Sequence, residues 1–162
     1  YALQLAKYYG AHVTAVDTSD KHALMRSLGA DHVIDHRTED FTKNGQTYDV
    51  IFDVVGKMRF SRGRKSLKPD GFYLMANPRL SHMLFKGLVS KTSRQTLLVS
   101  GMNEGHDAME FLRSLIIDGR LKVIIDRQYP LEQLPGAHRY LEAGNKRGAI
   151  IITIPSGASA TS

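Results

Sequence analysis

The sequence predicts an α/β protein with a doubly wound parallel sheet, and three observations point to it. Short β-rich runs alternate with helical stretches of about 8–13 residues along most of the chain. One run, at 48–55, is almost continuously apolar, which suits a strand covered on both faces. Glycines stand where helical patterns stop, at Gly10, Gly29 and Gly119, as C-terminal caps do.

The elements follow in order. Residues 1–9 read as a helix stopped by Gly10, and 12–17 as a short strand. Ser19 is placed to cap a helix running to Leu28. Residues 32–35 form a second strand, 39–42 a short polar helix, and Asn44-Gly45 a turn. After the apolar strand at 48–55 comes a basic helix over 60–67. Pro69-Asp70-Gly71 then turns the chain into a strand at 72–76. A helix at 80–90 and a strand at 96–100 follow. Ala108, Phe111, Leu112, Leu115 and Ile116 recur at helical spacing. Residues 123–129 read as a strand, 131–143 as a helix with Leu134, Ala137 and Leu141 on one face, and 149–154 as a last strand. A small-residue tail occupies 155–162.

Composition narrows the function classes. With 162 residues, 42% hydrophobic and 23% charged, the chain has the make-up of a soluble globular protein. No apolar run nears the ~18 residues of a membrane span. The absence of cysteine excludes disulfides and any thiolate zinc site, and suits a cytoplasmic enzyme. The first residue is Tyr1, inside a helical pattern with no cap and no signal-peptide layout, so a preceding segment is expected. The net charge of +6 fits a nucleic-acid surface or one part of a larger protein. Basic and aromatic residues do not interleave as single-strand binders require, which favours the second reading.

The chemical signal lies in the first helix, the first strand and its terminal acid. A dinucleotide-binding unit runs strand, glycine loop, helix, strand, acid, and the acid lies about 20 residues beyond the glycines. The loop holds pyrophosphate on backbone N–H groups at a helix N-terminus. The acid accepts hydrogen bonds from the ribose hydroxyls. Here the helix, the second strand and Asp17 are present, and counting back from Asp17 sets the glycines before Tyr1. On this local pattern alone, a turn or cap role for Asp17 is an even alternative.

Six segments extend the pattern: 3–17 (LQLAKYYGAHVTAVD), 24–35 (LMRSLGADHVID), 48–56 (YDVIFDVVG), 67–71 (LKPDG), 123–132 (VIIDRQYPLE) and 137–144 (AHRYLEAG). Together they resemble the medium-chain dehydrogenase/reductase superfamily, in its zinc-type alcohol dehydrogenase and quinone oxidoreductase-like branch. The resemblance covers nearly the whole chain in the family's order.

The resemblance implies a Rossmann-type domain over 1–120 lacking its first strand and glycine loop. Residues 121–155 would return to the catalytic domain, and 156–162 form a flexible tail. It implies hydride transfer between a nicotinamide and a carbonyl, quinone or activated alkene. The catalytic residues, and any zinc, belong to an upstream domain, so this segment does not support zinc. By position, the resemblance assigns cofactor contacts to Asp17, Thr18, Ser19, Lys21, Val54, Val55, Gly56, Ala76, Asn77, Ser100 and Gly101. A carboxylate at Asp17 suits NAD, whose 2′-hydroxyl is free. Lys21 matches a lysine of NADP-using members, so the cofactor is NAD or NADP, leaning to NAD. Thr18 and Ser19 also serve as capping residues, and Gly56 as a strand-end turn. His36 stands where relatives often carry tyrosine. The family commonly dimerises through its sixth strand, here 96–100.

Other constellations carry bland readings. His32 and His36 fall across a strand end, which disfavours a metal pair. His138 sits on an amphipathic helix, as a surface residue does. Lys57, Arg59, Arg62, Arg64, Lys65 and Lys68 form a basic cluster whose ordinary meaning is a solvated face, with attraction of an anionic cofactor as the functional one. No Ser/His/Asp arrangement supports a hydrolase. The competing class is a non-catalytic nucleotide-binding or interaction module derived from this fold. Removing the central first strand from the 3-2-1-4-5-6 order leaves its neighbours roughly 9–10 Å apart with unpaired edges. The chain alone is therefore expected to bind a dinucleotide poorly.

Overall fold

The computed structural model describes residues 1–56, 58–77, 94–99, 105–144 and 146–154. The chain divides into two compact units, one over Thr14–Glu110 and one joining Tyr1–Val13 to Phe111–Ser162.

In the first unit, β1 (Thr14–Asp17) and β2 (His32–Asp35) pair in parallel, with Asp17 opposite Asp35. Between them lie a 3₁₀ turn over Ser19–Lys21 and α2 (His22–Ser27). Ser19 does not cap a helix through its side chain. Its backbone N–H is donated across the strand pair to Asp35 Oδ2, at 3.1 Å.

A second parallel sheet runs β3 (Tyr48–Asp53), β4 (Leu67–Met75), β5 (Thr96–Val99), in that order. Its core is Ile51, Phe60, Leu67, Tyr73, Met75 and Leu97, with Phe60 supplied by α3 (Phe60–Gly63). Alternation along a strand sends neighbouring residues to opposite faces. Val50, Phe52, Phe72 and Leu98 are accordingly 50%, 46%, 44% and 43% exposed. Among the described residues, the run at 48–55 is thus well covered on one face and about half exposed on the other. It also stops at Asp53, whose side chain captures the next N–H groups.

Three other expectations change. Residues 39–42 make no helix, because Asp40 Oδ1 accepts the Thr42 N–H at 3.1 Å and hydroxyl at 2.8 Å, bonds that compete with helical ones. The basic stretch is helical only over Phe60–Gly63, passes through a 3₁₀ turn at Arg64–Ser66, and enters β4 at Leu67. Pro69-Asp70-Gly71 becomes an irregularity inside β4: Tyr48 pairs with Leu67 and Val50 with Phe72. The helix expected at 80–90 lies outside the described residues.

Among the described strands, β1 pairs only with β2 and β3 only with β4 and not with β1, so the two sheets are not joined by hydrogen bonds. This matches a doubly wound sheet without its central strand.

In the second unit, α1 (Ala2–Tyr8) carries a buried Gln4 that pairs both ways with one residue. Its Nε2 donates to Lys122 O at 3.0 Å, and its Oε1 accepts the Lys122 N–H at 2.7 Å. Tyr8 meets Phe111 edge-on, at 6.0 Å, in α4 (His106–Ile117). A parallel pair, β6 (Ile125–Pro130) and β7 (Ala149–Thr153), follows, with α5 (Leu134–Glu142) between them in sequence. Asp126 Oδ2 accepts the Tyr140 hydroxyl at 3.0 Å and the Arg147 N–H at 2.8 Å, tying β6 to α5 and to the approach to β7. The tail at 155–162 lies outside the described residues.

Candidate functional site

The candidate residues that the structure describes lie at or just beyond the C-terminal ends of parallel strands in the first unit. Open α/β sheets bind ligands beyond that end, because loops there are free to vary while the strands stay fixed.

At the end of β1, Asp17 Oδ1 accepts the Thr18 N–H at 2.8 Å. Lys21 Nζ lies 3.2 and 3.4 Å from the two carboxylate oxygens, and both side chains remain partly exposed. The Thr18 hydroxyl donates to Asp20 Oδ1. Asp35, next to Asp17 in register, accepts the Arg37 N–H at 2.9 Å as well as that of Ser19. The Arg37 N–H, more than any other group, holds the Asp35 carboxyl below the usual carboxylate range. Structure thus gathers Asp17, Thr18, Ser19 and Lys21 into one short loop, with the acid and the lysine in contact.

At the end of β3, the segment 53–56 folds over its own carboxylate. Asp53 Oδ1 accepts the N–H groups of Val55 at 3.2 Å and Gly56 at 2.7 Å. Asp53 Oδ2 accepts the Tyr73 hydroxyl at 3.3 Å. The Asp53 carbonyl takes the Ala76 N–H at 3.1 Å, and Asn77 Nδ2 donates to the Val54 carbonyl at 2.7 Å. Gly56 has φ +70°, and a Cβ there would stand 2.5 Å from Asn77 O, so only glycine fits. Val54 and Val55 are 49% and 65% exposed. Val54, Val55, Gly56, Ala76 and Asn77 therefore form one rim across two neighbouring strands. Ser100 and Gly101 lie outside the described residues.

Asp53 and Tyr73 escaped the sequence reading. Tyr73 is fully buried, and burial first, then the Asp53 charge, push its phenol pKa well up. It stays a protonated donor. The signal available was an acid at a strand end followed three residues later by glycine, but its partner on β4 is visible only in the fold.

The basic cluster is partly neutralised within the chain. Arg62 pairs with Asp40, Lys68 with Asp49 at 2.8 Å, and Arg64 Nε donates to Gln95 at 3.3 Å. Lys57 lies outside the described residues. That pairing favours the solvated-face reading. No helix among the described residues is long and apolar enough to cross a membrane.

The structure thus offers an acid-ended strand with a short loop, and a rim across the ends of β3 and β4. The comparisons make the family plain. A family model described as zinc-binding dehydrogenase matches residues 28–152, and the chain belongs to that family. It is 30% identical over 160 residues to a chloroplast envelope quinone oxidoreductase homolog of Arabidopsis thaliana, covering 94% of this chain and 48% of the relative. It is 27% identical to a mitochondrial NAD(P)H oxidoreductase of Mus musculus, covering 95% and 44%. Among solved structures, the quinone oxidoreductase from Coxiella burnetii matches with a TM-score of 0.78 at 26% identity, covering 93% of this chain and 47% of that one. The chain spans about half the length of the curated relatives it matches. By name these relatives are oxidoreductases, two of them of quinones and one of NAD(P)H.

The residues present fit a dinucleotide: a carboxylate and hydroxyls at one strand end, a glycine-bearing apolar rim at the next. Among the described residues no group of three or more His, Asp or Glu side chains is placed to hold a metal.

Proposed function

We propose that this chain is the dinucleotide-binding, C-terminal portion of an NAD(P)H-dependent oxidoreductase that reduces a carbonyl, quinone or activated alkene. The observation that carries this reading is that the Asp17 loop and the 54–56/76–77 rim each stand at the C-terminal end of parallel strands, in a chain of the zinc-binding dehydrogenase family. The bound nicotinamide supplies the hydride; this chain's residues bind and orient it. Asp17 receives the ribose hydroxyls, Thr18 and Ser19 line the same loop, and the 54–56/76–77 rim flanks the nicotinamide end. Ser100 and Gly101 extend that rim in the proposal.

The carboxylate suits NAD, while Lys21 against it lowers the repulsion of a 2′-phosphate, so both dinucleotides stay within the proposal. We place the first strand, the phosphate-binding glycines and the catalytic groups outside these 162 residues, in keeping with two sheets that do not join. Residues 1–120 then form the nucleotide domain and 121–155 pack with a catalytic domain. Pairing of two copies through the outer edge of β5 completes the proposal, and light scattering on the longer protein checks it. The cytoplasmic setting suggested by composition belongs to the same proposal, beside relatives named for chloroplast and mitochondrion.

Calorimetric titration tests the central point. The 162 residues alone are expected to bind NADH and NADPH only at high micromolar to millimolar levels and to show no cofactor oxidation with quinones. A protein that also carries an upstream catalytic domain should oxidise one of them. Binding at a few micromolar or tighter by the isolated chain would overturn the division of labour proposed here.

A further inference from the structure

The turn after β3 is unusual in how fully one carboxylate is used. Asp53 has two oxygens, and both are occupied by groups of this chain: Oδ1 by two backbone N–H groups, Oδ2 by a buried phenol. Three of the roughly four acceptor positions of this carboxylate are thus filled from within the chain. Its effect is on shape. The Val55 and Gly56 N–H bonds close the turn, and the Tyr73 hydroxyl fixes the carboxylate to β4. Tyr73 itself cannot shift, because its ring lies edge-on to Phe60 at 5.0 Å and is enclosed against Gly63. Asn77 ties the same turn from the far side, through the Val54 carbonyl.

We propose that Asp53, held by Tyr73, is a positioning residue that sets the rim at 54–56 for the nicotinamide end of the cofactor. The inference rests on the reading of that rim given under Proposed function. It assigns Asp53 no contact with cofactor. Removing its side chain frees the Val55 and Gly56 N–H groups, and the exposed Val54 and Val55 lose their fixed place. The loop at Asp17 depends on Asp35 and Lys21 instead, so the ribose end should not respond.

Amide signals of the isotope-labelled chain, titrated with NADPH to several millimolar and separately with 5′-AMP, separate the two ends. In the unaltered chain, Val55 and Gly56 should respond to NADPH, and Thr18 and Ser19 to both ligands. In Asp53→Ala, Val55 and Gly56 should respond about tenfold more weakly, as loss of a charge-assisted hydrogen-bond pair predicts. Thr18 and Ser19 should follow 5′-AMP as before. Asp53→Asn keeps an acceptor for both N–H groups and should restore most of the response. A folded Asp53→Ala chain whose rim still follows NADPH normally overturns the positioning role, as does equal weakening at both ends, which marks a general loss of structure. An unaltered chain whose ribose end responds while its rim stays silent overturns the assignment of the rim itself.

Discussion

Gly63 shows how little room surrounds the buried phenol. A Cβ at this position would meet Tyr73 Cε2 at 2.6 Å and Met58 Cε at 2.9 Å. The tyrosine cannot swing aside, being fully buried, edge-on to Phe60 and bonded to Asp53. Gly63→Ala is expected to destabilise the chain by about 1–3 kcal/mol, the usual cost of overpacking a filled core. The urea midpoint should fall at unchanged slope, and an unchanged midpoint would show that the ring relocates freely. No local pattern announces this contact. In the sequence, Gly63 stands within a run of basic residues, and its neighbour in space is ten positions away across a helix, a turn and a strand. The place of Asp17 at a strand end was legible for the opposite reason, since the β-rich run leading to it is local. That Lys21 lies against it required the loop's actual path.

At the scale of elements, helices and strands with strong local patterns were readable, and junctions were not. Helix α1, the strands at 14–17 and 32–35, and the last strand fall where apolar spacing and glycine put them. The 60–67 stretch failed because Leu67 is taken into the sheet beside Tyr48, a pairing that outweighs helical propensity. The strand at 48–55 was read two residues too long because Asp53 diverts the following N–H groups to its own carboxylate. Helix α1 also offers a test of how elements are fastened. Gln4 satisfies both the N–H and the carbonyl of Lys122 from a buried position. Gln4→Ala leaves those two groups without their partner, and a loss of about 1–3 kcal/mol is expected. Gln4→Glu keeps the acceptor but loses the donor, so it should not rescue. Amide exchange at Lys122 should speed up in both variants, and unchanged protection would deny the clamp.

The whole molecule carries several carboxylates held below their ordinary range. The Arg62 guanidinium brings Asp40 down to about 2, the Lys68 ammonium lowers Asp49, and backbone N–H groups of Arg37 and Arg147 lead in lowering Asp35 and Asp126. A depressed folded pKa contributes stability above the unfolded value, near 3.8 here, and that contribution fades as pH falls through the folded value. The melting temperature should therefore hold down to about pH 4–5 and decline toward about pH 2. Asp40→Asn should shallow the decline, while a profile flat to pH 3 would contradict it. Family and fold class were legible at this scale because the motifs run nearly the length of the chain. The failure of the two sheets to join was also foreseeable, since a doubly wound sheet without its first strand has nothing to put between its halves. The uncovered face of β3–β5 was not foreseen, because a continuous apolar run looks the same whether one side or both are packed. That face, with Val50, Phe52, Phe72 and Leu98 about half exposed, is expected to set a ceiling on concentration. As copies crowd, faces that meet gain by shedding water, and only the repulsion of a net charge of +6 opposes them. Salts that screen the charge, or that strengthen burial as sulfate does, bring that ceiling down.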